Sequence, residues 1–172
     1  MTDMNTNPCP GLSDTLLYVT EAHRTQVDNA GQPYILHVLR VMGNLGVHAT
    51  EKERIVALLH DVVEDTGATL DTLRKLGYTE EIIQGVDGVT KRSDEINEAG
   101  YFRAIGRASE NSLSRRTKIA DLEDNTLPSR NENPDAKRQK RLDKYRRALV
   151  HLQQIELHYL YGKRHTFPVA AE

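Results

Sequence analysis

The sequence predicts an all-α protein folded as one domain, on three observations. Apolar residues recur at helical spacing along almost the whole chain. No segment shows the two-residue alternation of a half-buried strand. Helix start and stop signals bracket the periodic stretches.

Taken in order, residues 1–12 are a polar tail broken by Pro8, Pro10 and Gly11. A first helix is predicted over 13–27, with Ser13 as its N-cap and Leu16, Leu17, Val19, Thr20, Ala22 and His23 along one side. The stretch "DNAGQP" breaks it, and Pro33 suits the start of a second helix running to about Leu45. Thr50 caps a third helix, "EKERIVALLHDVVED", which Gly67 terminates. Its apolar residues Ile55, Val56, Leu58, Leu59, Val62 and Val63 spread around most of the circumference, which makes it central. A short helix over 70–76 follows, then one from Thr79 to about Val89, and others near 97–109 and 112–125. A loop from Pro128 to Pro134 leads into a long basic-amphipathic helix over about 135–161. The domain is therefore placed at 13–162, a bundle of about eight helices, with a second tail over 163–172.

Composition narrows the function classes. Charged residues make up 28% of the 172 and hydrophobic ones 38%, and the formal net charge is −2. A dedicated nucleic-acid binder would be clearly basic, so no nucleic-acid partner is expected. Cys9 is the sole cysteine, which rules out a disulfide framework and a cysteine-based metal site. No stretch has the length of a membrane span, no apolar signal-peptide core opens the chain, and a cytoplasmic location is expected.

The stretch "LLHDVVEDTG" at 58–67 carries chemistry. Spacings of four place His60 above Glu64 and Asp61 above Asp65, inside an otherwise apolar helix. Burying carboxylates there requires a countercharge. A divalent cation supplies one, and a polar cluster bridged to basic residues is the alternative. A cation needs further ligands from other helices. His37, one turn into the second helix, and Asp121, in "KIADLEDN", are candidates; Asp121 has a salt bridge to Arg115 or Arg116 as its plainer reading.

"GQPYILH", "ALLHDVVEDT", "VDGVTK" and "KIADLEDN", in this order and at these spacings, resemble the HD-domain hydrolases of the RelA/SpoT type, most closely the small alarmone hydrolases that lack a synthetase domain. The resemblance covers roughly residues 16–126. It implies a helical HD fold with one Mn²⁺ held by His37, His60, Asp61 and Asp121, a ligand set that also suits other divalent transition metals. It implies that Glu64 and Asp65 orient and deprotonate the attacking water. The implied reaction removes the 3′-pyrophosphate of guanosine tetra- and pentaphosphate. Asn125 matches a ribose contact, Arg141 and Tyr145 match a pair at the 5′ phosphates, Tyr34 matches an aromatic near the site, and Lys118 is placed to face phosphates.

Two stretches depart from the family. Asp28 and Asn29 stand where many members carry a basic pair that lies against the purine, and Arg24, one turn earlier, is the candidate to replace it. Leu122, Glu123 and Asp124 stand where members carry a basic residue and an aromatic or histidine. Adenine alarmones and NADPH therefore join the guanosine alarmones as candidate substrates. Two rival functions remain in view: a phosphatase that releases orthophosphate from a nucleotide or NADPH, and a non-catalytic nucleotide-binding signalling module. Seven basic residues between Lys137 and Arg147, against Asp143 alone, offer the cations that a phosphorylated substrate requires.

Overall fold

A computed structural model of the protein describes residues 9–162. Residues 1–8 of the predicted N-terminal tail and the whole tail over 163–172, with His165, lie outside the described residues. Among the described residues the fold is helical: α1 (Leu12–Ala22), α2 (Ile35–Asn44), α3 (Glu51–Leu59), the single turn α4 (Val62–Asp65), α5 (Leu70–Leu76), α6 (Glu80–Val89), α7 (Glu98–Glu110), α8 (Ser112–Thr126) and α9 (Ala136–Tyr161). One isolated β-bridge, Val27 to Pro33, closes the loop between α1 and α2.

α8 is the axis of the bundle, packing against α2, α3, α6, α7 and α9. Ile55 to Leu59 of α3 are all buried, as their spread around the helix predicts. Ile55, Val56, Leu58 and Leu59 join Val19, Val38, Ile82, Ile83 and Val86 in the larger core, and Ala57 joins Val41, Leu45 and Ala120 in a small separate cluster. A second core of Ile105, Leu122, Ala148 and Leu152 fixes α7 and α9 to the far side of α8. Burying a side chain such as Leu58 or Leu59 is worth about 1.5–3 kcal/mol. Among the described residues, no helix is long and apolar enough to cross a membrane.

Three local expectations are corrected. α1 is capped by Gly11, whose amide donates to Asp14 (3.2 Å), rather than by Ser13. It ends at Ala22 rather than near residue 27, because the chain turns at His23 to reach the Val27–Pro33 bridge. The predicted continuous helix through "EKERIVALLHDVVED" is interrupted at His60 and Asp61. There the His60 Nδ1 donates to the carbonyl of Ala57 (2.7 Å), the acceptor that an unbroken helix would give to the Asp61 amide.

α6 meets α8 through glycines. Ser114 donates to the carbonyl of Gly85 (2.9 Å), and a methyl group on Gly88 would overlap the Ser114 side chain. Gly88→Ala is expected to cost about 1–3 kcal/mol, as overpacking does, and to lower the urea midpoint with little change in slope. An unshifted midpoint would mean that the two helices separate freely.

Candidate active site

Two imidazoles and two carboxylates converge where α2, the α3–α4 break and α8 meet. The Nε2 of His37 lies 3.6 Å from Asp61 Oδ2 and 3.4 Å from Asp121 Oδ1. The Nε2 of His60 lies 2.9 Å from Asp61 Oδ2 and 4.0 Å from Asp121 Oδ1. Donor atoms of His37, His60 and Asp61 all fall within 4.8 Å of one another. Both Nδ1 atoms are engaged elsewhere, His37 with Asp124 (2.6 Å) and His60 with Ala57, so each ring turns its Nε2 inward. Among the described residues the His60 Nε2 is buried and makes no aligned hydrogen bond, although Asp61 Oδ2 lies 2.9 Å away. An orphaned imidazole nitrogen facing a second imidazole and two carboxylates is a donor set that fits a divalent cation. The four ligands named from the sequence are thus brought together.

Behind them stands a layer that the sequence reading missed. Asp124, fully buried, accepts from His37, from Arg40 Nε (2.6 Å) and from Arg130. Arg130 also reaches Asp28 Oδ2 at 3.2 Å, while Asp28 Oδ1 accepts from the amides of Ala30 (2.8 Å) and Gln32 (3.0 Å). Both oxygens of Asp28 are therefore occupied, by a turn and by a cation. Tyr34 donates its hydroxyl to Asp61. Lys118 Nζ pairs with Asp121 Oδ2 (2.8 Å), and the amide of Asn125 donates to Asp121 Oδ1. Arg115 and Arg116, the partners weighed for Asp121, pair with Glu156 and Glu53 instead.

Glu64 and Asp65 flank the ligands as a separately held pair. The Glu64 carboxylate accepts from the Lys91 amide (2.6 Å). Asp65 accepts from Gln26 Nε2 (2.7 Å), whose carbonyl end accepts from His23 Nδ1 (2.6 Å). His23, expected only to pack, orients Gln26. A cavity of about 380 Å³ opens over these groups, walled by Tyr34, Asp61, Glu64 and Asp65, by Lys118 and Asn125 of α8, and by Arg138, Arg141 and Tyr145 of α9. Arg24 does not line it. α1 has ended two residues before, and the Arg24 guanidinium lies 73% exposed beside Glu21 (3.3 Å). Arg130 adds a guanidinium to this wall beside those of Arg138 and Arg141, from a short 3₁₀ turn (Pro128–Arg130). The Pro-flanked "LPSRNENP" gave no periodicity from which to infer that placement. Asp124 did carry a signal, an acid three residues beyond Asp121 in a helix that mixes apolar residues with acids.

A helical bundle with paired His and Asp ligands and a nearby Glu–Asp pair defines the HD class of hydrolases. The chain is 32% identical over 148 residues to the Drosophila melanogaster protein guanosine-3′,5′-bis(diphosphate) 3′-pyrophosphohydrolase MESH1, covering 83% of this chain and 82% of that one. A solved structure described as a metazoan ortholog of SpoT that hydrolyzes ppGpp matches with a TM-score of 0.72 at 25% identity, over 94% of this chain and 99% of that one. A GTP pyrophosphokinase of Myxococcus xanthus is 42% identical over 78 residues, 45% of this chain but 10% of that protein. The chain spans about a tenth of the length of the first curated relatives it matches. No family model matches it. It belongs to the RelA/SpoT-type HD hydrolases, in the family of MESH1-like guanosine-3′,5′-bis(diphosphate) 3′-pyrophosphohydrolases.

The charges in this site are mutually sustained. Burial opposes ionisation of Asp121 and Asp61, but Lys118, His37 and His60 outweigh it and hold both below the ordinary carboxylate range. Burial lowers the pKa of His37, yet its bonds to Asp121, Asp124 and Asp61 prevail and push it up to about 11. In protein stripped of metal by a chelator, a protonated His37 therefore stabilises the fold. That contribution is complete below the ordinary value of 6.5 and is lost as pH rises through about 11. The melting temperature of chelated protein is expected to fall over that interval, and cation uptake is expected to release protons and tighten with pH. A flat profile, with no proton release in unbuffered calorimetry, would overturn this account of His37.

Proposed function

We propose that the chain hydrolyses the 3′-pyrophosphate of nucleotide alarmones, (p)ppGpp or (p)ppApp, releasing pyrophosphate, with a divalent cation held by His37, His60, Asp61 and Asp121. Mn²⁺ is the first choice, because two nitrogens and two carboxylates make a mixed, fairly hard ligand set. The observation that carries the reading is the inward-facing His/Asp set lying beside Glu64 and Asp65, in one cavity with the cations of α9. When bound, such a cation acts as a Lewis acid on water and phosphate, lowering the pKa of the one and offsetting the charge of the other.

The protein's own groups take the remaining tasks. Glu64 receives the proton of the attacking water; burial lifts its pKa, which strengthens it as a base. Asp65, fixed through Gln26, orients that water. Water's oxygen joins the proximal phosphorus, the bond from that phosphorus to O3′ breaks, and the 3′ oxygen leaves as a hydroxyl with the proton that Glu64 took from the water. Lys118 and Asn125 approach the phosphates and ribose from α8, Arg141 and Tyr145 hold the 5′ phosphates from α9, and Tyr34 keeps Asp61 in place. Asp28 does not read the base, since both of its oxygens are taken.

The direct test incubates Mn²⁺-loaded protein with guanosine and adenosine tetraphosphates, NADPH and 3′-nucleotides, resolving pyrophosphate from orthophosphate. Pyrophosphate is the expected product. Orthophosphate alone would make the protein a phosphatase, and no product with metal bound would make it a signalling module. His60→Ala and Asp61→Ala are each expected to abolish metal content and turnover together. Glu64→Gln is expected to keep the metal and lose a hundredfold or more in rate, on the order expected for a general base; loss of metal in that variant would refute the role given to Glu64.

A further inference from the structure

Beyond Glu64 and Lys118 the site continues into a side chamber of about 210 Å³. It shares Glu64, Lys118 and Tyr145 with the main cavity and is otherwise built by the loop after α6, by α7 and by α9. Its polar lining is rich in donors that lack acceptors. Among the described residues the buried Tyr101 hydroxyl has no hydrogen-bond partner. Lys144 lies with its ammonium 4.2 Å from the centroid of the Tyr101 ring and 5.8 Å from that of Tyr145. Among the described residues, neither Lys144 nor Lys91 has a carboxylate within salt-bridge distance. Of the two acids in the wall, Glu95 is already saturated by Arg107 and by the Arg92 amide (2.7 Å), and Glu64, at the junction with the main cavity, accepts from the Lys91 amide. Burial and the neighbouring Arg141 hold the Lys144 ammonium below its ordinary range, a crowding that an anion would relieve.

An unpartnered buried hydroxyl and the unpaired Lys144 ammonium in one chamber, with the exposed Lys91 on its wall, are complementary to a compact oxyanion. The chamber opens beside the group proposed to activate water, so that anion lies next to the reacting phosphorus. We infer that Lys91, Tyr101 and Lys144 form the seat of the outer phosphate of a 3′-diphosphate, and that this seat is what selects a diphosphate over a monophosphate at the 3′ position. The inference rests on the hydrolase reading above and adds to it the residues that set its product.

Tyr101→Phe removes the donor and keeps the ring, and Lys144→Met removes the charge and keeps the stem. Each is compared with the unaltered Mn²⁺-loaded protein in two assays. One measures competition by pyrophosphate and by orthophosphate, read as inhibition constants or by calorimetry. The other measures kcat/KM for an alarmone and for a 3′-monophosphorylated nucleotide. Tyr101→Phe is expected to weaken pyrophosphate binding and alarmone kcat/KM about tenfold, and Lys144→Met more. Orthophosphate binding and any monophosphate turnover are expected to stay within twofold. If Tyr101→Phe, with an unchanged melting curve, binds pyrophosphate as the parent does, the seat is refuted while the hydrolase reading stands. If the parent yields only orthophosphate, the hydrolase reading falls, and the pyrophosphate-binding comparison still decides the chamber.

Discussion

Three aspartates, Asp61, Asp121 and Asp124, lie in contact with one histidine, His37, near the centre of the bundle. Each ionised carboxylate left unpaired at that depth would cost several kcal/mol, so the surroundings must bring cations to them. Lys118 comes from the same helix as Asp121, Arg40 from α2 behind His37, and Arg130 from the turn after α8. The packing follows from this requirement. α8 carries Lys118, Asp121, Asp124 and Asn125 toward the site while Leu122 fills the core shared with α7 and α9 and Ala120 a small cluster with Val41, Leu45 and Ala57. Its polar face is therefore its buried face, and a helix of that kind has to run through the middle of the domain.

The same charges divide the cavity into ends of opposite character. Aspartates, histidines and Glu64 form one end, suited to a cation and a water molecule. Arg138 and Arg141 form the other, suited to phosphates, while the side chamber with Lys91 and Lys144 opens beside Glu64 and Lys118. A substrate with phosphates on both the 5′ and 3′ positions would bridge these regions with its ribose near Asn125. On the proposed function, the cations for such a ligand come from the long basic helix α9 as much as from the HD residues, although α9 falls outside the segment of clearest family resemblance.

The exchange of the family's basic pair for Asp28 and Asn29 is compensated at a distance. Asp28 folds its own loop through the amides of Ala30 and Gln32 and then anchors Arg130. Arg130 in turn holds Asp124, which fixes the ring of His37. A substitution that looks in the sequence like a change in base recognition thus acts in the structure on the support of a proposed metal ligand. Such outer partners set tautomer and orientation, and their loss weakens a metal site without removing any ligand.

The sequence by itself determined the helical class, the helices from Leu70 onward to within a residue or two, and His60, Asp61, Glu64 and Asp65 as a polar cluster in an otherwise apolar stretch, while the family resemblance grouped His37 and Asp121 with them. Periodicity, capping and the cost of buried charge were legible because they act locally along the chain. The break at His60 and the early end of α1 were not, because a side-chain bond to Ala57 and a bridge from Val27 to Pro33 overrode helical patterns. Arg24 and Arg130 show the remaining limit. Both are arginines in polar surroundings, and nothing within a few residues of either distinguishes the solvated one from the one against Asp124. Only the tertiary structure decided between them, because a buried carboxylate contributed by α8 selects its cation by distance in space, and sequence spacing does not encode that distance.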